Sequence, residues 1–328
     1  MRCIEVINGG YISTVQDLGR IGWGRYGVPR GGAMDEFAFR VANRLVGNED
    51  NAAAVEVGAG GFEFRVNRDA IIAVCGRGFT ISVDDQPVPL WQSQRVYKNQ
   101  QVRVVHGEGG MWGIVAVNGG IAVKEIMGSR STALVGKFGG WEGRLLQAGD
   151  CLPLGPSRVL PDWSRTIQSL EDIYEPARPV PIRVVKGPHA NHFPEEAYQQ
   201  FLQQTFTLSS VSNRTGYRLE GEPLSTNTSA DMVSFGMLPG AIQLPPSRLP
   251  IVMMADTPPT GGYPVIAVVI RADLPRLAQC EPDITPIRFE EVNPEQARLV
   301  FERMMKKLDQ ILVLNNSAEF WNWAGAIK

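Results

Sequence analysis

FEFRVNRDAIIAVCGRGFTISV, residues 62–83, sets three short apolar runs between two clusters of turn-forming residues. FEFRV (62–66), AIIAV (70–74) and FTISV (79–83) are rich in β-branched and aromatic side chains and stop within five residues, which suits strands and is too short for a helix. The same texture continues outward through QVRVV (101–105) and MWGIVAV (111–117). It returns after residue 180 in IRVVK (182–186), IVMMA (251–255), VIAVVI (265–270) and IRFEEV (287–292). Strands and helices do not alternate strictly, so a doubly wound parallel sheet is not expected. The pattern predicts mostly antiparallel sheets or barrels.

A chain of 328 residues exceeds what one ordinary core serves, and two β-rich domains follow. The boundary falls in LGPSRVLPDWSRTIQSLEDIYEPARPVP, residues 154–181, where five prolines break the strand pattern. Its central part, Trp163 to Tyr174, suits a short helix. The expected division is an N-terminal domain over 1–155, a linker over 156–180, a C-terminal domain over 181–292, and a terminal helix with an aromatic tail over 293–328.

Three helices are signalled by local chemistry. Asp35 precedes a face of Ala38, Val41, Ala42 and Leu45, and Gly47 can close that helix in a left-handed turn. Phe193, Ala197 and Phe201 form a second stripe after His192, with Pro194, Glu195 and Glu196 suited to its first turn. Asn293 and Gln296 make a capping box ahead of Val300, Met304, Leu308 and Ile311, a packing stripe. In the tail, Phe320, Trp321 and Trp323 are expected to dock on the chain's own surface.

Hydrophobic residues make up 44% and charged residues 20%, with 32 basic against 34 acidic, which argues against disorder and against nucleic-acid binding driven by net charge. The basic residues are 25 arginines and seven lysines, a choice suited to two-pronged binding of small carboxylates and phosphates. The N-terminal MRCIEVINGG carries no basic segment leading into a long apolar run, and stretches such as 264–270 are far short of a membrane helix, so a cytoplasmic location is expected. Cys3, Cys75, Cys151 and Cys280 have no metal-like spacing and read as reduced, buried thiols. His189 and His192 have only His106 as a third imidazole, and no metal site is expected. The phosphate-loop pattern ending in Gly-Lys-Ser/Thr and the serine-hydrolase elbow are both absent.

Three segments could carry chemistry. Residues 14–48 offer Gln16, Asp17, Arg20, Arg25 and Arg30, with Gly31-Gly32 leading into a helix whose free amides could bind an anion; the plainer reading has Asp17 and Arg20 bracing a turn. SNRTGYRLEGEPL (212–224) sets Arg214 and Arg218 around a glycine, with Glu220 on the same side of a strand as Arg218. MADTPPTGGYPVIAVVI (254–270) places Asp256 at a strand end before Thr260-Gly261-Gly262-Tyr263, where consecutive amides could hold an oxyanion and Asp256 could act as base or anchor; a capped hairpin loop is the alternative.

At these segments the chain resembles the biotin-dependent carboxyltransferase-like, urea amidolyase-related family, which takes in one component of bacterial ATP-dependent 5-oxoprolinase. The resemblance spans roughly residues 4–292 and rests on TVQDLGR (14–20), GVPRGGAMD (27–35), RVANRLVGN (40–48), GSRST (128–132), FGGWEGR (138–144), SNRTGYRLEG (212–221), PGAIQLPP (239–246) and TGGYPVIAVVIRADLPRLAQ (260–279). Pro258 and Pro259 stand where members commonly carry Gln and Thr, Thr215 replaces a Met, and Ala133 replaces an Asp.

The resemblance implies a mainly β fold of two cyclophilin-like β-barrel domains with a few peripheral helices. It implies one component of an ATP-dependent amidohydrolase that works with a KipI-like partner and a LamB/YcsF-like partner, with ATP and magnesium at a site that the partners can share. Asp256, Thr260, Gly261 and Gly262 are then the catalytic candidates, and Arg214, Arg218, Asn213, Tyr263, Arg20, Arg30, Gln16 and Asp17 the substrate-binding ones, with Arg20 or Arg30 facing phosphoryl charge. Two alternatives stand beside it: a carboxyltransferase taking carboxybiotin from a partner to urea or another amide, and a non-catalytic protein binding a KipI-like partner.

Overall fold

The computed structural model describes residues 2–157, 164–170, 173–174, 178–225 and 232–315. Two compact units divide the chain: the first takes Met1–Arg20, Asp35–Leu170 and Leu308–Lys328, the second Ile21–Met34 and Glu171–Lys307. Both are built on sheet, with four α-helices among the described residues: α1 (Glu36–Leu45), α2 (Glu195–Gln203), α3 (Leu274–Ala278) and α4 (Pro294–Gln310). The mainly β expectation is met.

In the first unit, one sheet has the order Cys151–Pro153, Cys3–Asn8, Phe62–Val66, Gln101–His106, Phe79–Val83, Gln86–Val88, and a second the order Ser13–Gln16, Ala54–Val57, Gly113–Val117, Ala70–Gly76, Ser93–Val96. The alternation of FEFRV explains its place, since Phe62, Phe64 and Val66 are buried while Glu63 and Arg65 reach the surface. All seven residues of Ala70–Gly76 are buried, because α1 packs on that strand and on Gly113–Val117. The α1 caps are those expected: Asp35 Oδ1 accepts the Ala38 amide at 2.9 Å, and Gly47 takes φ 78° past the last turn.

The second unit holds a seven-stranded sheet ordered Thr207–Leu208, Gly216–Glu220, Ile251–Met253, Ala241–Gln243, Val265–Val269, Val180–Lys186, Ile287–Glu291. Only the last pair is parallel. Phe206, just before the first strand, exchanges two backbone hydrogen bonds with Ile287 of the last, at 2.9 and 2.8 Å, so the sheet curls into a nearly closed barrel. α2 seals this seam by stacking Phe201 on Phe289 with ring centres 4.7 Å apart. α4 opens with the predicted capping box: Asn293 Oδ1 accepts the Gln296 amide at 2.8 Å, and Gln296 Oε1 accepts the Asn293 amide at 3.0 Å.

Two expectations are corrected. Within the segment expected to be helical, Ser164–Ile167 is instead a strand paired with Leu312–Asn315; its Thr166 and Ile167 are β-branched and favour that conformation. Cys3 and Cys151 are disulfide-bonded across 148 residues, while Cys75 and Cys280 are free and buried. The bonded pair sits on neighbouring antiparallel strands, where Cys3 faces Pro153 and Glu5 faces Cys151, a juxtaposition that spacing in sequence does not reveal. The aromatic residues Phe320, Trp321 and Trp323 lie outside the described residues. No helix among the described residues is long and apolar enough to cross a membrane.

Candidate functional site

In the first unit, Asp17 and Arg20 do the work of a brace, each separately. The Asp17 side chain is buried and accepts from the Gly19 amide at 2.8 Å, the Ser129 hydroxyl at 2.6 Å, the Arg130 amide and the Ser131 hydroxyl. Arg20, also buried, donates to the carbonyls of Ile126 and Ser131 and lies over the Phe138 ring. Gln16 is enclosed beside them and donates to the Thr14 hydroxyl at 2.9 Å. These three side chains grip the loop carrying GSRST (128–132). The expected anion seat at the start of α1 is filled by the chain itself, since the Asp35 carboxylate caps it.

In the second unit, three of the motif-bearing segments meet at Arg214. Its guanidinium forms a two-pronged pair with Asp256, Nε to Oδ2 at 2.9 Å and Nη2 to Oδ1 at 3.0 Å, and Nη2 also donates to the Gly32 carbonyl at 2.7 Å. Backbone bonds align the two loops, from the Asp256 amide to the Arg214 carbonyl at 2.9 Å and from the Met254 amide to the Thr215 carbonyl at 3.0 Å. Asn213 makes the turn before them, its Oδ1 accepting the Thr215 amide at 2.9 Å. Arg214 is 5% exposed and the Asp256 side chain 12%, so the pair is shielded while the carboxylate keeps an opening. Arg30 is half-buried two residues before Gly32. Arg218 is apart from this cluster: on Gly216–Glu220 the buried residues are Tyr217 and Leu219, with Gly216, and Arg218 and Glu220 are both exposed.

The loop from Asp256 continues into Thr260–Gly261, a two-residue strand paired with Phe235–Gly236. Neither Gly261 nor Gly262 has a positive φ, so they do not form the anion nest expected of consecutive glycines. Gly261 is required by space instead: a Cβ there would stand 2.5 Å from Gln243 Nε2 and 2.9 Å from Met237 Cγ. Gln243 Nε2 in turn donates to the Tyr263 carbonyl at 3.4 Å, tying the loop to the barrel. Tyr263 itself is 40% exposed.

Gly261→Ala is therefore expected to push Gln243 and Met237 aside, destabilise the protein by about 1–3 kcal/mol and shift the loop. Thermal melts check it, and Gln243→Ala in the same chain should recover part of the loss. A double variant that melts no higher than Gly261→Ala would mean that Gln243 is not the obstacle.

Nothing within PGAIQLPP marks Gln243 as part of this loop's support, and the spacing of His189 from His192 suggests only a metal ligand. His189 Nδ1 accepts the Val265 amide at 3.2 Å, and its ring lies 4.5 Å from that of Phe235, the residue facing Gly261 across the strand pair. Burial, with the charge of His192 second, holds this imidazole below the ordinary histidine range. Among the described residues no group of three His, Cys, Asp or Glu is placed to hold a metal ion.

The carboxyltransferase domain, subdomain A and B, matches residues 26–291. The C-type subunit of 5-oxoprolinase from Escherichia coli (strain K12) is 38% identical over 310 residues, covering 94% of this chain and 97% of its own length. That of Haemophilus influenzae is 36% identical over 308 residues with the same coverage. The urea amidolyase of Lachancea kluyveri is 32% identical over 320 residues, 91% of this chain but 17% of its own length. Among solved structures, the K. lactis urea amidolyase superposes with a TM-score of 0.85 at 29% identity, over 94% of this chain and 20% of that one.

Proposed function

The chain belongs to the carboxyltransferase domain, subdomain A and B, family, and on that premise we propose that it is the C-type subunit of an ATP-dependent 5-oxoprolinase. The observation that carries this reading is the greater likeness to two proteins named as the C-type subunit of 5-oxoprolinase, 38% and 36% identical, than to the urea amidolyase of Lachancea kluyveri, 32% identical. A protein named as one subunit implies others, and we propose for them a KipI-like partner and a LamB/YcsF-like partner.

The reaction would convert 5-oxoproline, ATP and water into glutamate, ADP and phosphate. A lactam resists water because its amide is resonance-stabilised. Transfer of the γ-phosphoryl group to the carbonyl oxygen makes the carbon electrophilic; one water adds and the ring C–N bond breaks, leaving a free amine and an acyl phosphate, and a second water releases phosphate to give the carboxylate. In this chain Asp256, held by Arg214, would orient the lactam N–H or the attacking water. Each of its oxygens already accepts one N–H and keeps a second lone pair. Thr260, Gly261, Gly262 and Tyr263 would form the wall beside it. Arg30 and Asn213 are the groups proposed for the substrate carboxylate, and Arg218, exposed and apart from the Arg214–Asp256 pair, is proposed only for the nucleotide phosphates. Magnesium would come with the nucleotide, and no residue here is assigned to it.

The decisive assay is ADP release by the chain with its partners, given 5-oxoproline or given urea with a biotinyl carrier. Turnover on 5-oxoproline alone is expected. Carboxyl transfer to urea would favour the second reading, which the urea amidolyase relatives support. A complex that assembles yet releases no ADP with any cyclic amide would leave the regulatory reading in place.

A further inference from the structure

We propose that His189 is a catalytic hydrogen-bond donor of this site, its Nε2–H meeting the carbonyl oxygen of a small planar amide seated against Phe235 and the Gly261–Tyr263 loop. This rests on the proposed amide chemistry and adds to it a residue that lies outside all three motif-bearing segments.

The backbone leaves the histidine little freedom. Gly187 passes so close to its neighbouring strand that a Cβ there would lie 2.3 Å from the Val265 carbonyl oxygen, and its amide donates to the Ile266 carbonyl at 2.9 Å. Two residues on, the His189 amide donates to the Val265 carbonyl at 3.3 Å, while the Val265 amide donates back to His189 Nδ1 at 3.2 Å. The imidazole is thus pinned to Val265, two residues after Tyr263, and its face is fixed by the Phe235 ring.

The bond at Nδ1 also settles the tautomer. A nitrogen that accepts an amide hydrogen carries none of its own, so in the neutral ring the proton is on Nε2. Protonating Nδ1 would break that bond, and the titratable neighbour acting on the ring, His192 at 5.6 Å between centres, opposes a positive charge. His189 is half-buried, and among the described residues nothing takes its Nε2–H. A neutral imidazole that donates from a rigid position stabilises negative charge developing on oxygen without having to reorganise. In a lactam the carbonyl oxygen already carries the partial negative charge of the amide, and a donor on one lone pair holds it in place while the other stays free for the phosphoryl transfer of the proposed reaction.

The chain has three histidines, so a sample labelled with 15N at histidine gives a spectrum assignable with single substitutions. The full chain is titrated with 5-oxoproline and, separately, with urea. The expected result is a His189 ring protonated at Nε2 alone, whose Nε2–H signal moves on adding 5-oxoproline while His106 stays still. In the assembly, His189→Ala is expected to lower kcat by about 100-fold with little change in KM, and His189→Gln, which keeps a neutral N–H donor, to restore part of it. A shift with urea and none with 5-oxoproline sustains the donor and removes the proposed substrate. A His189 signal that neither amide moves, or His189→Ala activity within about twofold of the parent, overturns the inference whichever substrate is turned over.

Discussion

Asp17→Ala is expected to lower the unfolding free energy by about 3–5 kcal/mol, read as a fall in Tm on the order of ten degrees. The carboxylate is 2% exposed and satisfies four donors: the Gly19 and Arg130 amides and the Ser129 and Ser131 hydroxyls. Removing it strands those donors in a dry interior, and each stranded donor costs about 1–3 kcal/mol before relaxation. Ser129 and Ser131 are themselves buried and cannot turn to water. Asp17→Asn keeps the shape but exchanges one acceptor oxygen for a donor, so an intermediate loss is expected. A thermal melt of Asp17→Ala that overlays the parent would show that the loop around GSRST is held by something else. If Asp17→Asn abolished turnover while melting normally, Asp17 would belong to the substrate.

Asp256→Asn is expected to lower kcat/KM by about 100-fold in the reconstituted assembly while costing only about 1–2 kcal/mol of stability. The amide can still accept from Arg214 through its one oxygen and retains the volume of the side chain. It cannot offer two anionic oxygens held in a fixed plane, which is what the proposed chemistry requires. Asp256→Ala is a harsher change, because Arg214 would be left 5% exposed without its carboxylate, and losing one partner of a buried pair costs about 3–5 kcal/mol. The Asn variant therefore separates chemistry from folding. Parent-like kcat/KM in a well-folded Asp256→Asn chain would remove Asp256 from the reaction.

The strand runs were readable because period-two burial is a property of neighbours: Phe62, Phe64 and Val66 announce their face without knowing what covers it. The caps of α1 and α4 were readable for the same reason, their partners lying three residues away. What escaped was set by distant pairing. Asp17 meets Ser129, Arg130 and Ser131 across 112 to 114 residues, and Cys3 meets Cys151 across 148. Arg214 and Arg218 are indistinguishable as symbols, yet one turns inward at a loop and the other outward on a strand. The motif segments located the Arg214–Asp256 pair, whereas Gln243 and His189 emerged only from the packing around Gly261 and Val265.

The pairing of Ser164–Ile167 with Leu312–Asn315 has a consequence for the order of events during synthesis. Residues leave the ribosome from the N-terminus, so the earlier strand waits through nearly half of translation before its mate emerges. The first unit can collapse around its large core in that interval, but one ribbon of its surface stays incomplete. A fragment ending after the proline-rich stretch would keep that bare strand permanently and would be inclined to stick to others of its kind.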